Sequence, residues 1–440
     1  MNKNIAMMVA AGAAMLFSGV AFGAGDDKPM PLGPNKYDYI VYRPKKSFPW
    51  ERKPKDIAMR GDSYNDHFHV MWDARRRTLY AFWTQASWEG AMDSHICFAK
   101  SLDKGATWSE PVLIAGSENF KNPRQDAYYQ QPMLSKSGRL YCLWTERFTF
   151  HGMVGSWSDD GGETWTRPQV MRVRRFDQDP VQSWIGPNYI NWMRPLRLGR
   201  DGRYFVACSR HGKAPYDEQE GCKIEFWEFL NIDDDPEVAG IKLGYYATNR
   251  DALGVDKLPS GNYFKPVKYP GRDTPEGPAV EEASLVKLPD GRLFALMRSS
   301  VGSPVWSQSR DGGRTWSRLK VLVDKDGKPF LHPRSPCPIF DRGGCEAASG
   351  EYFAFIHNTF DFKSTTACQP RRQLYLIAGK FDPKGEQPIR FSLKPKLFNE
   401  RTYGNSLYAS YTVVDGEGVL WFPDVKYYLL GRKIGREWFE

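Results

Sequence analysis

The sequence has 440 residues, of which 41% are hydrophobic and 14% aromatic, and it carries a formal net charge of +9 at pH 7. This content supplies ample material for a core, and the aromatic enrichment favours sheet over helix. The basic balance favours an anionic partner. The sequence has no basic stripe or recognition helix, which argues against nucleic acid as the partner. The positive charge is then explained either by an acidic polysaccharide partner or by a generally basic surface.

The first predicted element is a signal peptide over residues 1–24. Lys3 supplies a positive charge, an uncharged apolar run covers residues 5–22, and small residues at its end permit cleavage. The run is rich in Ala and Gly and short of Leu, which favours removal over a retained membrane anchor. We therefore expect a secreted or periplasmic protein whose residues 25–440 form one domain, with no membrane contact in the mature form.

Six copies of one hairpin pattern follow, each with a tight turn that usually carries Gly between two short strands. Gly tolerates the positive φ that such turns need. The copies begin at Trp72, Ser135, Gly199, Leu288, Ala347 and Val413. Successive turn glycines stand 64, 89, 59 and 66 residues apart, about the length of a four-stranded blade. The pattern predicts an all-β, six-bladed propeller of four-stranded antiparallel blades and leaves a degenerate seventh blade open.

The chain has seven cysteines, an odd number that leaves at least one unpaired. Cys97 and Cys142 lie in apolar strand-like runs and are expected to be core thiols. Cys337, Cys345 and Cys368 lie in loop-like sequence and are the better disulfide candidates in an exported protein. No CxxC pair exists, which argues against a zinc–cysteine site.

A second motif, S-x-D-x-G-x-T-W, occurs three times, at Ser101–Trp108, Ser158–Trp165 and Ser309–Trp316. Its Asp can accept backbone N–H groups across a turn, its Gly permits a sharp bend, and its Trp can be buried between sheets. These copies and the hairpin spacing resemble the Asp boxes of the sialidase-like β-propeller superfamily, over nearly the whole mature chain. The resemblance implies the fold, whereas function has to be argued from the site.

Sialidases combine three arginines that bind a carboxylate, a Tyr nucleophile assisted by Glu, and an Asp acid/base. The segment from Glu282 to Arg298 is similar to a sialidase E-x-x-x-V-x-L-x-D-G-x-L-x-x-x-x-R segment. This implies Glu282 as the activating carboxylate and Arg298 as a binding arginine. Tyr408 lies in a segment similar to the family's Y-x-S-x-T…D-G, which implies a nucleophile or general acid. A carboxylate beside a Tyr can activate it by taking its proton.

The same resemblance implies three further site residues. Arg372, in a segment similar to the family's N…R-x-L, fits best as a second binding arginine, with Arg371 as the alternative. Arginine suits this role because its planar group pairs bidentately with a carboxylate. Asp93 lies in the kind of loop, residues 87–94, where sialidases carry the acid/base, and Glu89 is a nearby alternative.

The first arginine of the sialidase set is absent, because family spacing places it at His67. His67 is then a catalytic base, since His titrates near neutrality, or a buried His satisfied by Asp66. His69, two residues on, is predicted on the same strand face and is placed with the substrate-binding residues. No third metal ligand is marked, so no cofactor is expected. Arg194 and Gln131 are further candidates for lining the channel, without a spacing argument.

Three functions stay open from the sequence. The first is an exo-acting glycosidase of a sialic or uronic acid-containing glycan, with Tyr408, Glu282 and Asp93 as catalytic residues. The second is a polysaccharide lyase in which His67 or Tyr408 removes the proton next to a uronate carboxylate. The third is a non-catalytic glycan-binding propeller that stacks sugars on Trp83, Trp88, Trp184 and Trp192. All three imply an acidic oligosaccharide or polysaccharide as partner, and we expect a monomer.

Overall fold

The computed structural model describes most of the chain from residue 35 onwards. The described residues are 35–45, 62–116, 126–146, 152–173, 189–190, 192–210, 223–247, 280–299, 301–357, 371–392, 394–401 and 407–440. The predicted signal peptide, Trp184 and Cys368 lie outside them. Within these ranges the helical segments are short 3-10 turns: Arg200–Gly202, Ile232–Asp234, Val238–Gly240 and Arg436–Phe439. None of the helices found there is long and apolar enough to span a bilayer.

The strands form six antiparallel sheets, each of which is one blade of a propeller. Blade 1 contains β2 (Tyr64–Asp73), β3 (Thr78–Ala86), β4 (His95–Ser101) and β5 (Val112–Gly116). Blade 2 contains β6 (Tyr128–Leu134), β7 (Leu140–Thr145), β8 (Gly152–Ser158) and β9 (Gln169–Arg172). Blade 3 contains β10 (Tyr189–Ile190), β11 (Tyr204–Arg210), β12 (Lys223–Phe229) and β13 (Leu243–Ala247).

The second half of the ring departs from four plain strands in blade 5. Blade 4 contains β14 (Val280–Lys287), β15 (Leu293–Ser299), β16 (Val305–Ser309) and β17 (Lys320–Val321). Blade 5 contains β18 (Ile339–Asp341), β19 (Glu351–His357), β20 (Leu374–Phe381), β21 (Ile389–Arg390) and β22 (Lys396–Asn399). Both β21 and β22 pair with β20, at its opposite ends. Blade 6 contains β23 (Ser410–Val414), β24 (Glu417–Asp424), β25 (Tyr428–Lys433) and β1 (Tyr39–Tyr42).

The six predicted hairpins are confirmed. Each lies between the innermost strand of a blade and the next strand outward. All five turn glycines have positive φ, from +72° at Gly202 to +100° at Gly138. The copy without a glycine, in blade 1, uses Arg77 at a φ of 52°. Local turn chemistry therefore sets the start of every blade, and the described residues form six blades.

The ring is closed by pairing the two ends of the described chain in one sheet. β1, from the N-terminal side, is the outermost strand of blade 6 and runs antiparallel to β25, with Tyr39 opposite Gly431. The Asn35 backbone N–H also donates to Asp424 Oδ2 at 2.9 Å. Blade 6 is therefore complete only when both ends are in place.

The hydrophobic core lies between neighbouring blades. Phe98 of blade 1 and Trp144 of blade 2 belong to one buried cluster. Phe68 of blade 1 and Trp421 of blade 6 belong to another. Face-to-face burial of sheets is the main source of stability in this architecture, because each sheet has two apolar faces to cover.

The three S-x-D-x-G-x-T-W segments form the same type of turn between the third and fourth strands of blades 1, 2 and 4. In the first turn Asp103 accepts hydrogen bonds from Ser101 Oγ (2.8 Å), Thr107 N (2.8 Å) and Thr107 Oγ1 (2.5 Å). Ser101 Oγ in turn accepts from Gly105 N at 2.8 Å. The polar groups of the turn therefore satisfy one another.

The glycine of each turn makes close contact with the preceding blade. A Cβ added to Gly162 would lie 2.4 Å from Phe98, and one added to Gly313 would lie 2.4 Å from Phe205. Both glycines also have positive φ, +88° and +92°. Only glycine meets both demands, so these turns connect blades as well as strands.

The proposed disulfide role of two cysteines needs correction. Cys337 and Cys345 are free, buried thiols in two different hydrophobic clusters. Cys345 Sγ donates to the Tyr411 carbonyl at 2.9 Å. Their loop-like sequence is buried against neighbouring blades, so they act as small apolar side chains.

Candidate functional site

Three inner strands carry the same backbone irregularity at the same position. The register of β2 slips between Asp66 and His69, and β6 and β14 slip in the same way. At these bulges His67, Tyr129 and Glu282 have φ values of 52°, 58° and 56°. Non-glycine residues in this left-handed region are strained, and such strain concentrates at functional sites. The bulges therefore bring three equivalent side chains together from blades 1, 2 and 4.

Four aromatic rings form one cluster, which we call the aromatic cluster: His67, Tyr129, Trp192 and Tyr408. Tyr408 stacks on Trp192, with centroids 5.2 Å apart and planes at 14°. His67 lies 4.8 Å from the Tyr408 ring and meets Tyr129 edge-on at 4.4 Å. The rings come from four blades, so the cluster marks the point where the blades converge.

Tyr408 and Glu282, paired by the sequence argument, are in direct contact. The Tyr408 hydroxyl donates to Glu282 Oε1 at 3.0 Å, and Arg298 Nη1 donates to the same oxygen. Burial raises the pKa of Glu282 to about 7, against the opposing effect of Arg298. Burial, and then the charge of Glu282, raise the pKa of Tyr408 well above 10.0. Tyr408 is therefore protonated near neutrality, and Glu282 is positioned to receive its proton.

Three buried arginines lie beside this pair. Glu281 contacts Arg334 Nη2 at 2.7 Å and Arg298 Nε at 3.2 Å. Arg371 is also buried, and its Nη2 donates to the Arg334 carbonyl at 3.0 Å. Within the described ranges Arg371 forms no ion pair, and its Nε has no hydrogen-bond partner. Arg298 and Arg334 thus have carboxylate partners, whereas the Arg371 guanidinium has none in the described part of the chain.

The two adjacent arginines suggested by the sequence differ in placement. The charge of Arg371 influences the pKa of both Glu282 and Tyr408. Arg372 is partly exposed, and its carbonyl accepts from His357 Nδ1 at 3.0 Å. The structure therefore brings Arg371, the second choice from sequence, to the Tyr408–Glu282 pair.

The two acidic residues of the loop formed by residues 87–94 have different contacts. Asp93 is buried and accepts hydrogen bonds from the backbone N (3.1 Å) and hydroxyl of Ser87, so it closes its own loop. Glu89 instead pairs with Lys426 at 2.8 Å, and Lys426 also pairs with Asp66 at 3.1 Å. The Lys426 Nζ lies 5.7 Å from the centroid of the Tyr408 ring. Glu89 is therefore the loop carboxylate that lies in the charged group beside the aromatic cluster.

Buried polar atoms without a partner are concentrated around this point. Within the described part of the chain they include both ring nitrogens of His67 and His69, Glu282 Oε2, Trp192 Nε1, Arg194 Nε and Arg371 Nε. Buried polar atoms in native proteins nearly always have partners, so each exception needs a reason. Burial lowers the pKa of both histidines well below 6.5, which keeps their rings neutral. Water or a bound ligand can complete the hydrogen bonds of such a set.

Three further residues bear on the prediction of the site from sequence. Gln131 is buried and follows the bulge of β6 as His69 follows that of β2, and its Nε2 donates to the Gln130 carbonyl at 3.0 Å. Tyr129 and Arg334 belong to the site but were not singled out from sequence. Over the described residues, no group of three or more His, Cys, Asp or Glu side chains is arranged to hold a metal ion.

Comparisons with known proteins agree on the architecture. A family model described as "BNR repeat-like domain" matches residues 77–335, more than half of the chain. Comparison with curated proteins finds no match. A protein of unknown function from Dyadobacter fermentans superposes with a TM-score of 0.54 at 15% identity, covering 90% of this chain and 96% of that one.

Two solved sialidase structures are also similar. The K499G mutant of NanB sialidase from Streptococcus pneumoniae has a TM-score of 0.57 at 11% identity, covering 93% of this chain and 72% of that one. The intramolecular trans-sialidase from Ruminococcus gnavus, in complex with oseltamivir carboxylate, has a TM-score of 0.53 at 12% identity, covering 85% and 95%. At these identities the likeness shows a shared fold, the sialidase-like β-propeller.

Proposed function

We propose that this chain, which belongs to the BNR repeat-like domain family and has the sialidase-like propeller fold, is an exo-acting glycoside hydrolase of acidic glycans. The observation that carries the proposal is the 3.0 Å hydrogen bond from Tyr408 to Glu282 at the convergence of the blades. A Tyr hydroxyl is a weak nucleophile alone, and an adjacent carboxylate that takes its proton activates it.

The proposed reaction has two balanced steps. In the first, Tyr408 Oη bonds to the anomeric carbon, its proton passes to Glu282, and the glycosidic bond breaks. The leaving oxygen takes a proton from an acid on the loop of residues 87–94, for which placement favours Glu89 and resemblance favours Asp93. In the second step water displaces the tyrosyl oxygen, which regains its proton from Glu282, and the water's other proton returns to the loop acid.

Arg371 is the proposed partner of the substrate's carboxylate. Its guanidinium is buried, has no ion pair within the described ranges, and influences the pKa of both catalytic groups. Arginine cannot relieve this burial by losing its proton. A sugar carboxylate bound there would pair with the Arg371 guanidinium and place the anomeric carbon near Tyr408.

His67 supports a second candidate, a lyase acting on uronate-containing polysaccharide. Both its ring nitrogens are unpartnered, its ring is kept neutral by burial, and it lies 4.8 Å from the Tyr408 ring. A neutral imidazole can take the proton next to a uronate carboxylate while Arg371 neutralises that carboxylate. The electron pair then forms the new double bond, and Tyr408 protonates the leaving oxygen.

Product masses separate the two reactions. The purified protein would be incubated with sialylated and uronate-rich glycans, and its products weighed. Hydrolysis gives fragments that have gained water and disappear with Tyr408→Phe. Elimination gives fragments that are one water lighter than the hydrolysis products, carry an unsaturated end and disappear with His67→Ala. If the protein binds glycans but none of them gives a product, a glycan-binding role would replace both reactions.

We also propose that the protein acts outside the cytoplasm and as a monomer. The apolar N-terminal sequence supports export, and cell fractionation with N-terminal sequencing of the recovered protein tests it. Recovery of an uncleaved protein in the cytoplasm would contradict export. Light scattering during size-exclusion chromatography tests the monomer.

A further inference from the structure

Three residues that stand two positions after residues of the site line one small cavity. Ser410 follows Tyr408, Arg194 follows Trp192, and Ser284 follows Glu282 at this spacing. The cavity has a volume of about 20 Å³.

The cavity is lined by one charged residue. Arg194 lines it together with Ser284, Ser410 and Cys345, and the remaining lining residues are apolar or present only backbone polar atoms. No Asp or Glu is among the lining residues. About 10–15 Å³ of such volume is enough for a water-sized occupant, so the space suits one small ion rather than a sugar.

Arg194 is buried without a counter-charge. Only 9% of the residue is exposed, its Nε has no partner, and its Nη1 reaches the Pro195 carbonyl at a long 3.4 Å. It forms no ion pair within the described part of the chain. Burial of an unpaired charge is costly, and arginine does not shed its proton. An anion in the cavity would remove this cost.

A second cavity residue can donate to such an anion. Ser410 lines the cavity beside Arg194, and its Oγ accepts from the Val70 backbone N–H at 2.7 Å. This leaves the hydroxyl hydrogen of Ser410 free to point into the cavity.

We propose that Arg194 and Ser410 bind a small monovalent anion of halide size in this cavity, separate from the substrate carboxylate at Arg371. This goes beyond the proposed function and does not depend on it. It also assigns Arg194, a substrate-binding candidate from the sequence, to this anion instead.

Thermal unfolding tests the site without a substrate. The Tm of the wild-type protein is measured in sodium chloride, sodium bromide and sodium gluconate at equal ionic strength. We expect a saturable rise with the halides and none with gluconate, which is too large for the cavity. Arg194→Met should abolish the rise, whereas Arg200→Met, a control at an exposed arginine, should retain it. Equal curves for wild type and Arg194→Met would overturn the proposal.

Crystals of the wild-type protein soaked in bromide give a result that no variant's folding can obscure. We expect an anomalous peak within hydrogen-bond distance of the Arg194 guanidinium. A cavity that holds only water, or bromide found only on the outer surface, would refute the site. Either result leaves the Tyr408-dependent product assay unaffected, so the two proposals fail separately.

Discussion

The S-x-D-x-G-x-T-W turns and the site around Tyr408 differ in whether their polar atoms have hydrogen-bond partners. In the turns both carboxylate oxygens of each Asp accept hydrogen bonds, although the residue lies at the exposed rim of its blade. Around Tyr408 the polar atoms are buried, and several have no partner. The contrast teaches that the turns stabilise the ring, whereas the centre has unsatisfied polar groups and strained backbone, which are features typical of functional sites.

The largest expected effect is at the centre. Tyr408→Phe should lower kcat by about 10²–10⁴ or more while leaving Tm nearly unchanged, because the nucleophilic oxygen and its proton transfer to Glu282 are lost but the packed ring stays. The control is Tyr411→Phe. The Tyr411 hydroxyl donates to the Arg342 carbonyl at 3.1 Å and should contribute only to stability. Steady-state kinetics and thermal unfolding check both. Comparable kcat values for Tyr408→Phe and wild type would sink the catalytic role.

The next effect is at a turn glycine. Gly162→Ala combines a φ of +88° with a Cβ 2.4 Å from Phe98, and should destabilise the protein by about 2–4 kcal/mol. Gly312→Ala, in an equivalent turn at a φ of +74° with open space around it, should cost only about 1 kcal/mol. Denaturant unfolding measures both, and equal losses would remove the inter-blade role of the glycine.

A third effect follows from the raised pKa of Glu282. Its ionised form is the proton acceptor, so below about pH 7 the rate should rise about tenfold per pH unit, and above it the rate should level off. A kcat–pH profile checks this. A profile that is already flat at pH 5 would show that Glu282 is not the titrating base.

The smallest effect is at a turn carboxylate. Hydrogen bonds from Thr107 hold the pKa of Asp103 below 3.8, so its contribution exists above the unfolded pKa and is lost as pH falls through the folded one. Asp103→Ala should therefore cost about 1 kcal/mol at pH 7 and progressively less in acid. Unfolding curves at neutral and acidic pH measure the difference, and a cost that grows in acid would contradict the assignment.

The fold was predictable because its signals are local. Asp-Gly and Ser-Gly turns fix the hairpins, and the three S-x-D-x-G-x-T-W turns fix the outer edge of their blades. The closing strand β1 carried no such signal, because its partner β25 lies almost the whole chain away. Its place depends on ring closure, which no short window of sequence encodes.

The site was less predictable because it depends on register. Resemblance nominated Tyr408 and Glu282, which the structure brings to 3.0 Å. It preferred Arg372 to Arg371, whereas the structure brings Arg371 to the pair. Both arginines precede β20, so strand alternation could not decide between them. Tyr129 had an unused signal, since it stands five residues before the end of β6, as Glu282 does before the end of β14.

The pairing of β1 with β25 also sets when the site can exist during synthesis. Blade 6 needs strands from both ends, and the Phe68 backbone N–H reaches the Tyr408 carbonyl at 3.1 Å across the same seam. In a nascent chain that has not yet released Gly431, β1 has no partner strand and blade 6 presents an unpaired sheet edge. The ring around the site is therefore closed only at the last stage of assembly.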